Sequence, residues 1–335
     1  MNDKLREKYD GGIFDLDGVC YRGAEVIAGA PEAIAEAEAG GFSAIYLTNN
    51  ASRPASDVAA HLRELGISAE PEAIYTSARA AAELAEERFA EGSKILVIGG
   101  KGLREELSQR GFELVERRED EPAAVIQGWD ATVGWAELSE GALAIRDGAI
   151  FIATNLDATL PQERGFMLGN GSLVKAVEHA TGVSPVATGK PTPQVFRRAA
   201  EAGGLERPLA IGDRLDTDVA GSVEAGIDCL HVLTGVTTAA EVAVARPGQR
   251  PTYLAIDLSA LSEPYQRPRL NGGRAELAGQ WAKVSGGTLE TSGDRTHADV
   301  ALYRCIVAAC WEAIDAGTHA QQLAPQLADL NVVGS

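Results

Sequence analysis

The sequence predicts an α/β protein built on a mostly parallel sheet, and three observations carry that reading. Short apolar runs alternate with amphipathic stretches of helical period from the start to about residue 260, the rhythm of strands covered by helices. Two of the runs end in acidic residues: Gly12-Ile13-Phe14 leads into Asp15-Leu16-Asp17-Gly18, and Leu209-Ala210-Ile211 into Gly212-Asp213. Open α/β sheets bind their ligands at the carboxyl ends of strands. Helix punctuation also falls in place, with Pro54 at a first-turn position and Gly66 as a stop.

Each element follows in order. A strand over 44–47 ends in Thr48-Asn49-Asn50, a helix runs from Pro54 to Leu65, and an Ala-rich helix covers 77–90. The rhythm then restarts, with strands at 94–98, 124–126 and 150–153 and helices at 102–110, 135–146 and 172–180. Such a block reads as a smaller α/β unit inserted within the first. The first unit resumes at Gly189-Lys190-Pro191 and adds a helix to Ala202, strands at 208–211, 229–233 and 253–256, and a helix at 217–225. A compositional break lies between Glu263 and Pro268. Beyond it the sequence predicts one hairpin around Gly286-Gly287 and one helix over 300–314, with Tyr303, Ile306, Val307, Cys310 and Ile314 on one face. This stretch is too small for a core of its own. It must pack on the body or on a second copy, and the expectation is a homo-oligomer formed through it.

Composition bounds the function. A chain of 335 residues, 45% hydrophobic, suffices for two compact units and an appendage. No apolar run approaches the ~18 residues that span a bilayer, and the segment MNDKLREKYD is charged where a signal peptide would be apolar. The cysteines, Cys20, Cys229, Cys305 and Cys310, match no disulfide framework and no zinc spacing. A cytoplasmic protein is expected. The net charge of −18 argues against nucleic acid and anionic membranes as partners. It also demands local positive charge, from a metal, a lysine or backbone amides, wherever an anionic substrate binds.

Four elements in chain order meet that demand. Asp15 at a strand end can attack phosphorus and form an aspartyl-phosphate, while Asp17 can give a proton to the leaving group and later take one from water. The bland alternative for both is a capped turn. Thr48 offers a hydroxyl, with the amide of Asn49 behind it, to a phosphate oxygen, or else it enters a helix. Lys190 opens a helix in a Gly-Lys-Pro loop, facing an anion or solvent. Asp213 and Asp218 stand in GDRLDTD, after another strand; Asp218 could equally be a first-turn carboxylate favoured by the helix dipole. Magnesium wants six oxygen ligands and keeps several waters. Asp15, the backbone carbonyl of Asp17 and Asp213 can supply the protein's share, with Asp218 behind them.

The motifs DLDGV, LTNN, GKP and GDRLDTD resemble the four signature motifs of the haloacid dehalogenase superfamily, most closely its NagD-like phosphatases. The resemblance covers residues 10 to about 262. It implies a Rossmann-like haloacid-dehalogenase core over 1–82 and 186–262 and an inserted α/β cap domain over 83–185; the compositional break, hairpin and helix beyond it predict a small C-terminal α+β extension over 263–335. The resemblance further implies Asp15 as nucleophile, Asp17 as general acid and base, and Asp213 as metal ligand. Thr48, Asn49 and Lys190 would then surround the phosphate. The expected activity is magnesium-dependent hydrolysis of a small phosphorylated metabolite, of glycerol phosphate or phosphoglycolate type. Cap loops carrying Asp130, Asn155, Asp157 and Asn170 are candidates for substrate contact. The alternatives are a phosphotransferase or mutase that uses the same aspartyl-phosphate, and an assembly protein with residual phosphatase activity.

Overall fold

The computed structural model describes residues 4–162 and 164–334. It comprises two compact units, one made of the chain up to Arg22, Val26–Ser43 and everything from Glu206, the other of Gly23–Glu25 and Ala44–Leu205. The boundaries read from the sequence, after residues 82, 185 and 262, follow the order of elements along the chain and stand as a proposed division.

In the first unit four parallel strands lie in the order Tyr253–Ala255, Asp228–Val232, Pro208–Gly212, Gly11–Phe14. Ile13, Phe14, Leu209, Ala210, Ile211, Leu230 and Val232 are all buried. A strand covered on both faces must be apolar at successive positions, which is why these segments read as unbroken runs. Gly12 pairs with Leu209 and Phe14 with Ile211, so the acidic residues that follow the two strands emerge at the same edge. The helix expected at 217–225 begins differently. Leu215–Val219 forms a π-turn, with Val219 N–H reaching the Arg214 carbonyl at 3.1 Å, before the α-helix Ala220–Ala225. A widened turn of this kind is common beside functional groups.

The C-terminal stretch belongs to this unit and holds more strand than the single hairpin expected. Arg269–Asn271, Arg274–Leu277, Gln280–Ser285 and Thr288–Thr291 form a four-stranded antiparallel meander. Its three turns, at Gly272-Gly273, Ala278-Gly279 and Gly286-Gly287, all take positive φ at both residues, the geometry of two-residue hairpins. The helix Val300–Asp315 covers one face. Ala275, Ala282 and Leu289 of the meander meet Leu302, Ile306 and Cys310 of the helix in one cluster with Val242, Ala243 and Leu254 of the body. Trp311 Nε1 donates to the Val242 carbonyl at 2.9 Å and Arg304 Nε to the Leu254 carbonyl at 3.0 Å. The apolar helix face that suggested self-association is therefore buried within the chain.

In the second unit Ser43–Thr48 pairs in parallel with Ile74–Thr76, placing Thr48 opposite Thr76. Pro54 caps the helix Ala55–Glu64 from outside instead of opening its first turn. A separate parallel sheet runs in the order Val186–Ala187, Ile150–Ala153, Ala124–Gln127, Lys94–Ile98, Glu113–Val115. Helices Lys101–Gln109, Trp135–Arg146 and Asn170–Thr181 accompany it, as the restarted rhythm predicts. The short strands Glu113–Val115 and Val186–Ala187 escape that prediction, as does an antiparallel hairpin of Thr159–Gln162 with Gly165–Leu168. Pro161 within its first strand argues against strand when read locally. Among the described residues no helix is long and apolar enough to cross a membrane.

Candidate active site

Asp15 follows its strand directly, its N–H completing the ladder to the Ile211 carbonyl at 2.8 Å. Asp213 follows the neighbouring strand, and the π-turn returns Asp218 to it: the Asp218 carboxylate accepts from Arg214 N–H at 3.1 Å. Asp15, Asp213 and Asp218 each present a carboxylate oxygen within 4.8 Å of the others. Asp213 and Asp218 are buried and Asp15 is half-buried. Three carboxylates this close, two of them buried, repel one another unless a cation compensates, and an all-oxygen set suits a hard divalent ion. The chain makes room for the group. A Cβ on Gly235 would lie 1.8 Å from Asp213 Oδ2, so only glycine fits there, and the next N–H, of Val236, donates to that same oxygen at 2.6 Å.

His231, fully buried on the strand Asp228–Val232, sets its Nε2 3.0 Å from the Asp213 carbonyl. Burial drives its pKa down to about 4, so the ring is neutral at pH 7 and carries its proton on Nε2 to serve that carbonyl. Sequence reasoning saw His231 only as part of a strand. Asp17 is exposed, with its backbone bridged to Tyr21. Asp218 was expected behind the metal ligands; its carboxylate is a member of the three-carboxylate group itself.

The phosphate-binding candidates lie in the second unit. Thr48 Oγ1 accepts from Asn50 N–H at 3.1 Å and retains its own O–H as a donor. Asn49 is the hub of a network. Its Oδ1 accepts from Lys190 N–H at 2.8 Å, and its Nδ2 donates to the Lys190 carbonyl at 3.2 Å and to both oxygens of Asp157 at 3.2 and 3.0 Å. Its backbone carbonyl accepts from Ser77 Oγ at 2.6 Å and from Asn155 Nδ2 at 2.7 Å. The Asn49 side chain thus grips the Lys190 backbone from both sides. Gly189 must be glycine for this to happen, because a Cβ there would lie 2.6 Å from Asn49 Oδ1 and 2.5 Å from the Thr154 carbonyl.

Of the cap residues singled out in the sequence, three come together. Asn155 and Asn170 are buried, and Asn170 Nδ2 donates to the Asn155 carbonyl at 2.8 Å, while Asp157 N–H meets Asn155 Oδ1 at 3.2 Å. All three therefore connect to Asn49. Asp130 instead closes its own turn, accepting from Thr132 N–H at 2.9 Å and Thr132 Oγ1 at 2.7 Å. Ser77 was missed; only its place at the start of a helix marked it.

Comparison with known proteins agrees with this architecture. A haloacid dehalogenase-like hydrolase family model matches residues 12–113, and a HAD-hydrolase-like model matches 187–261. The D-glycerol 3-phosphate phosphatase of Mycobacterium tuberculosis is 39% identical over 97% of this chain and 92% of its own length. An acid sugar phosphatase of Staphylococcus aureus is 37% identical over 76% of this chain and 96% of its own. The crystal structure of the M. tuberculosis glycerol phosphate phosphatase in complex with magnesium superposes with a TM-score of 0.84, at 38% identity, over 93% of each chain. A p-nitrophenyl phosphatase from Archaeoglobus fulgidus gives 0.71 at 30% identity, over 77% of this chain and all of the other. The chain belongs to the haloacid dehalogenase-like hydrolases.

Proposed function

We propose that this chain hydrolyses small organic phosphate monoesters, glycerol phosphate first among them, with magnesium as its metal. The observation that carries the reading is the three-carboxylate group at the ends of adjacent parallel strands. The glycerol phosphate and sugar phosphatases among the relatives support the substrate class. Asp15, the backbone carbonyl of Asp17 and Asp213 hold the ion in this proposal, with Asp218 beside them. Bound there, magnesium would supply the charge that neutralises the phosphate oxygens.

The chain's own groups do the rest. Asp15 attacks phosphorus, and the bond to the leaving oxygen breaks as Asp17 hands that oxygen a proton. Asp17, now ionised, takes a proton from water as the water attacks the same phosphorus. The bond to Asp15 then breaks, releasing inorganic phosphate. Lys190 and the amides around Thr48 and Asn49 neutralise the equatorial oxygens. The division into a core of 1–82 and 186–262, a cap of 83–185 and an extension of 263–335 belongs to this reading.

A screen of phosphorylated metabolites, with magnesium and then with chelator, tests the proposal. Phosphate release without an added acceptor, abolished by chelation and restored by magnesium, is expected. Turnover that survives exhaustive chelation would contradict it. A cytoplasmic setting is also proposed, supported by four cysteines that are all buried thiols. Self-association is proposed through a surface other than the C-terminal helix: Phe166, Met167 and Leu168 lie exposed on a two-stranded hairpin, an apolar edge of the kind that seeks a partner. Light scattering should find more than one subunit, and Phe166→Glu should lower that number.

A further inference from the structure

We infer that Asp157 is a positioning residue that orients Asn49 and, through it, the backbone of Lys190. The inference rests on the proposed role of Lys190 at the phosphate. An asparagine amide is close to symmetric in shape, so its orientation is set by its partners. On one side of Asn49 stands the Lys190 N–H, which needs an acceptor. On the other stand the Lys190 carbonyl and the Asp157 carboxylate, which both need a donor. A carboxylate accepts only, so Asp157 admits just the orientation in which Oδ1 takes the Lys190 N–H. Both backbone groups of Lys190 are then held by one side chain, 141 residues away in sequence.

The placement of Asp157 is itself over-determined. Its loop follows the strand Ile150–Ala153 and lies against Gly169-Asn170-Gly171, where the helix Asn170–Thr181 begins. A Cβ on Gly169 would fall 2.2 Å from the Asp157 carbonyl, and one on Gly171 would fall 2.1 Å from the Leu156 carbonyl. Gly171 N–H instead donates to the Asp157 carbonyl at 2.9 Å, and Asn170 Nδ2 secures the Asn155 carbonyl. These glycines let two backbones touch, and the contact fixes where the carboxylate stands. Asp157, expected from the sequence as a substrate contact, meets Asn49 Nδ2 with both its oxygens. An effect that runs through Asn49 falls on phosphate binding whatever the leaving group.

Asp157→Ala and the near-isosteric Asp157→Asn test this. Measured against glycerol phosphate and 4-nitrophenyl phosphate, kcat/KM of Asp157→Ala should fall by a similar factor on both, roughly 10- to 100-fold. Calorimetry of inorganic phosphate binding in the presence of magnesium, which needs no turnover, should show a weakening of the same order. Asp157→Asn can still accept one bond from Asn49 Nδ2 and should recover part of the loss. A loss confined to glycerol phosphate, with phosphate affinity unchanged, would overturn the inference in favour of substrate contact. Unchanged kinetics and affinity in folded Asp157→Asn and Asp157→Ala would overturn it outright. Failure of the wild-type chain to hydrolyse any monoester would sink the phosphatase reading instead, and the phosphate titration would still decide the role of Asp157.

Discussion

Asp15 is half-buried while Asp213 and Asp218 are buried, a difference that fits the proposed roles of Asp15 as nucleophile and of the other two as holders of charge. Asp15→Asn is expected to reduce hydrolysis to background with the fold intact, since an amide cannot form the acyl-phosphate; retention of a tenth of the activity would refute the assignment. Asp17→Asn should slow both chemical steps, by about 100-fold or more, as seen in single-turnover kinetics. Asp213→Asn should raise the magnesium concentration needed for half-maximal activity, read from a metal titration of the chelated protein. The placing of Asp15 and Asp213 at strand ends was legible because each follows a buried run and needs no long-range information. The role of Asn49 was not. Its partners Asp157 and Lys190 stand far along the chain, and a local reading could offer its amide only to phosphate.

The elements that hold these residues depend on close backbone contacts and on one charged cluster. Gly171→Ala should destabilise the protein by about 2 kcal/mol in chemical denaturation, because overpacking against the Leu156 carbonyl forces the loop aside. Glu83, on the helix Ser77–Arg88, is met by Tyr75, by Arg79 at 2.9 Å, by Arg198 at 3.4 Å and by Arg110 at 3.7 Å. Burial pushes its pKa up, but hydrogen bonds from Tyr75 and Arg79 and the nearby guanidinium charges outweigh it, and the net shift is downward. A lowered folded-state pKa gives stability that is complete above the ordinary glutamate range and lost as pH falls through the folded value. The melting temperature of the wild type should therefore drop more steeply below about pH 4.5 than that of Glu83→Gln. Equal slopes would remove Glu83 from the account. At this scale the longer parallel strands and most helices were readable from periodicity and punctuation, while the helix Ala30–Ala39 and the three-residue strands Ile74–Thr76 and Glu113–Val115 were passed over. The hairpin at 159–168 was hidden by Pro161, and the first turns of the meander by the plain look of Asn-Gly-Gly and Ala-Gly between short polar strands.

For the molecule as a whole, a net charge of −18 coexists with binding of an anion only if positive charge is concentrated at the site, which magnesium and Lys190 would do. The C-terminal stretch contributes otherwise. Its meander and helix share a core with Val242, Ala243 and Leu254, so ending the chain near Pro264 should bare that surface, lower the melting temperature and promote aggregation. A truncated protein as stable as the full chain would contradict this. The central claim, a phosphoryl group carried on Asp15, has a direct test. The Asp17→Asn variant, mixed with 4-nitrophenyl phosphate and magnesium, is quenched in acid, digested with pepsin at low pH and analysed by mass spectrometry. One phosphoryl group on the peptide containing Asp15, absent when chelator replaces magnesium and absent from Asp15→Asn, is the result predicted here. Hydrolysis with the label on another residue, or with no phosphorylated peptide at any time point, would contradict it.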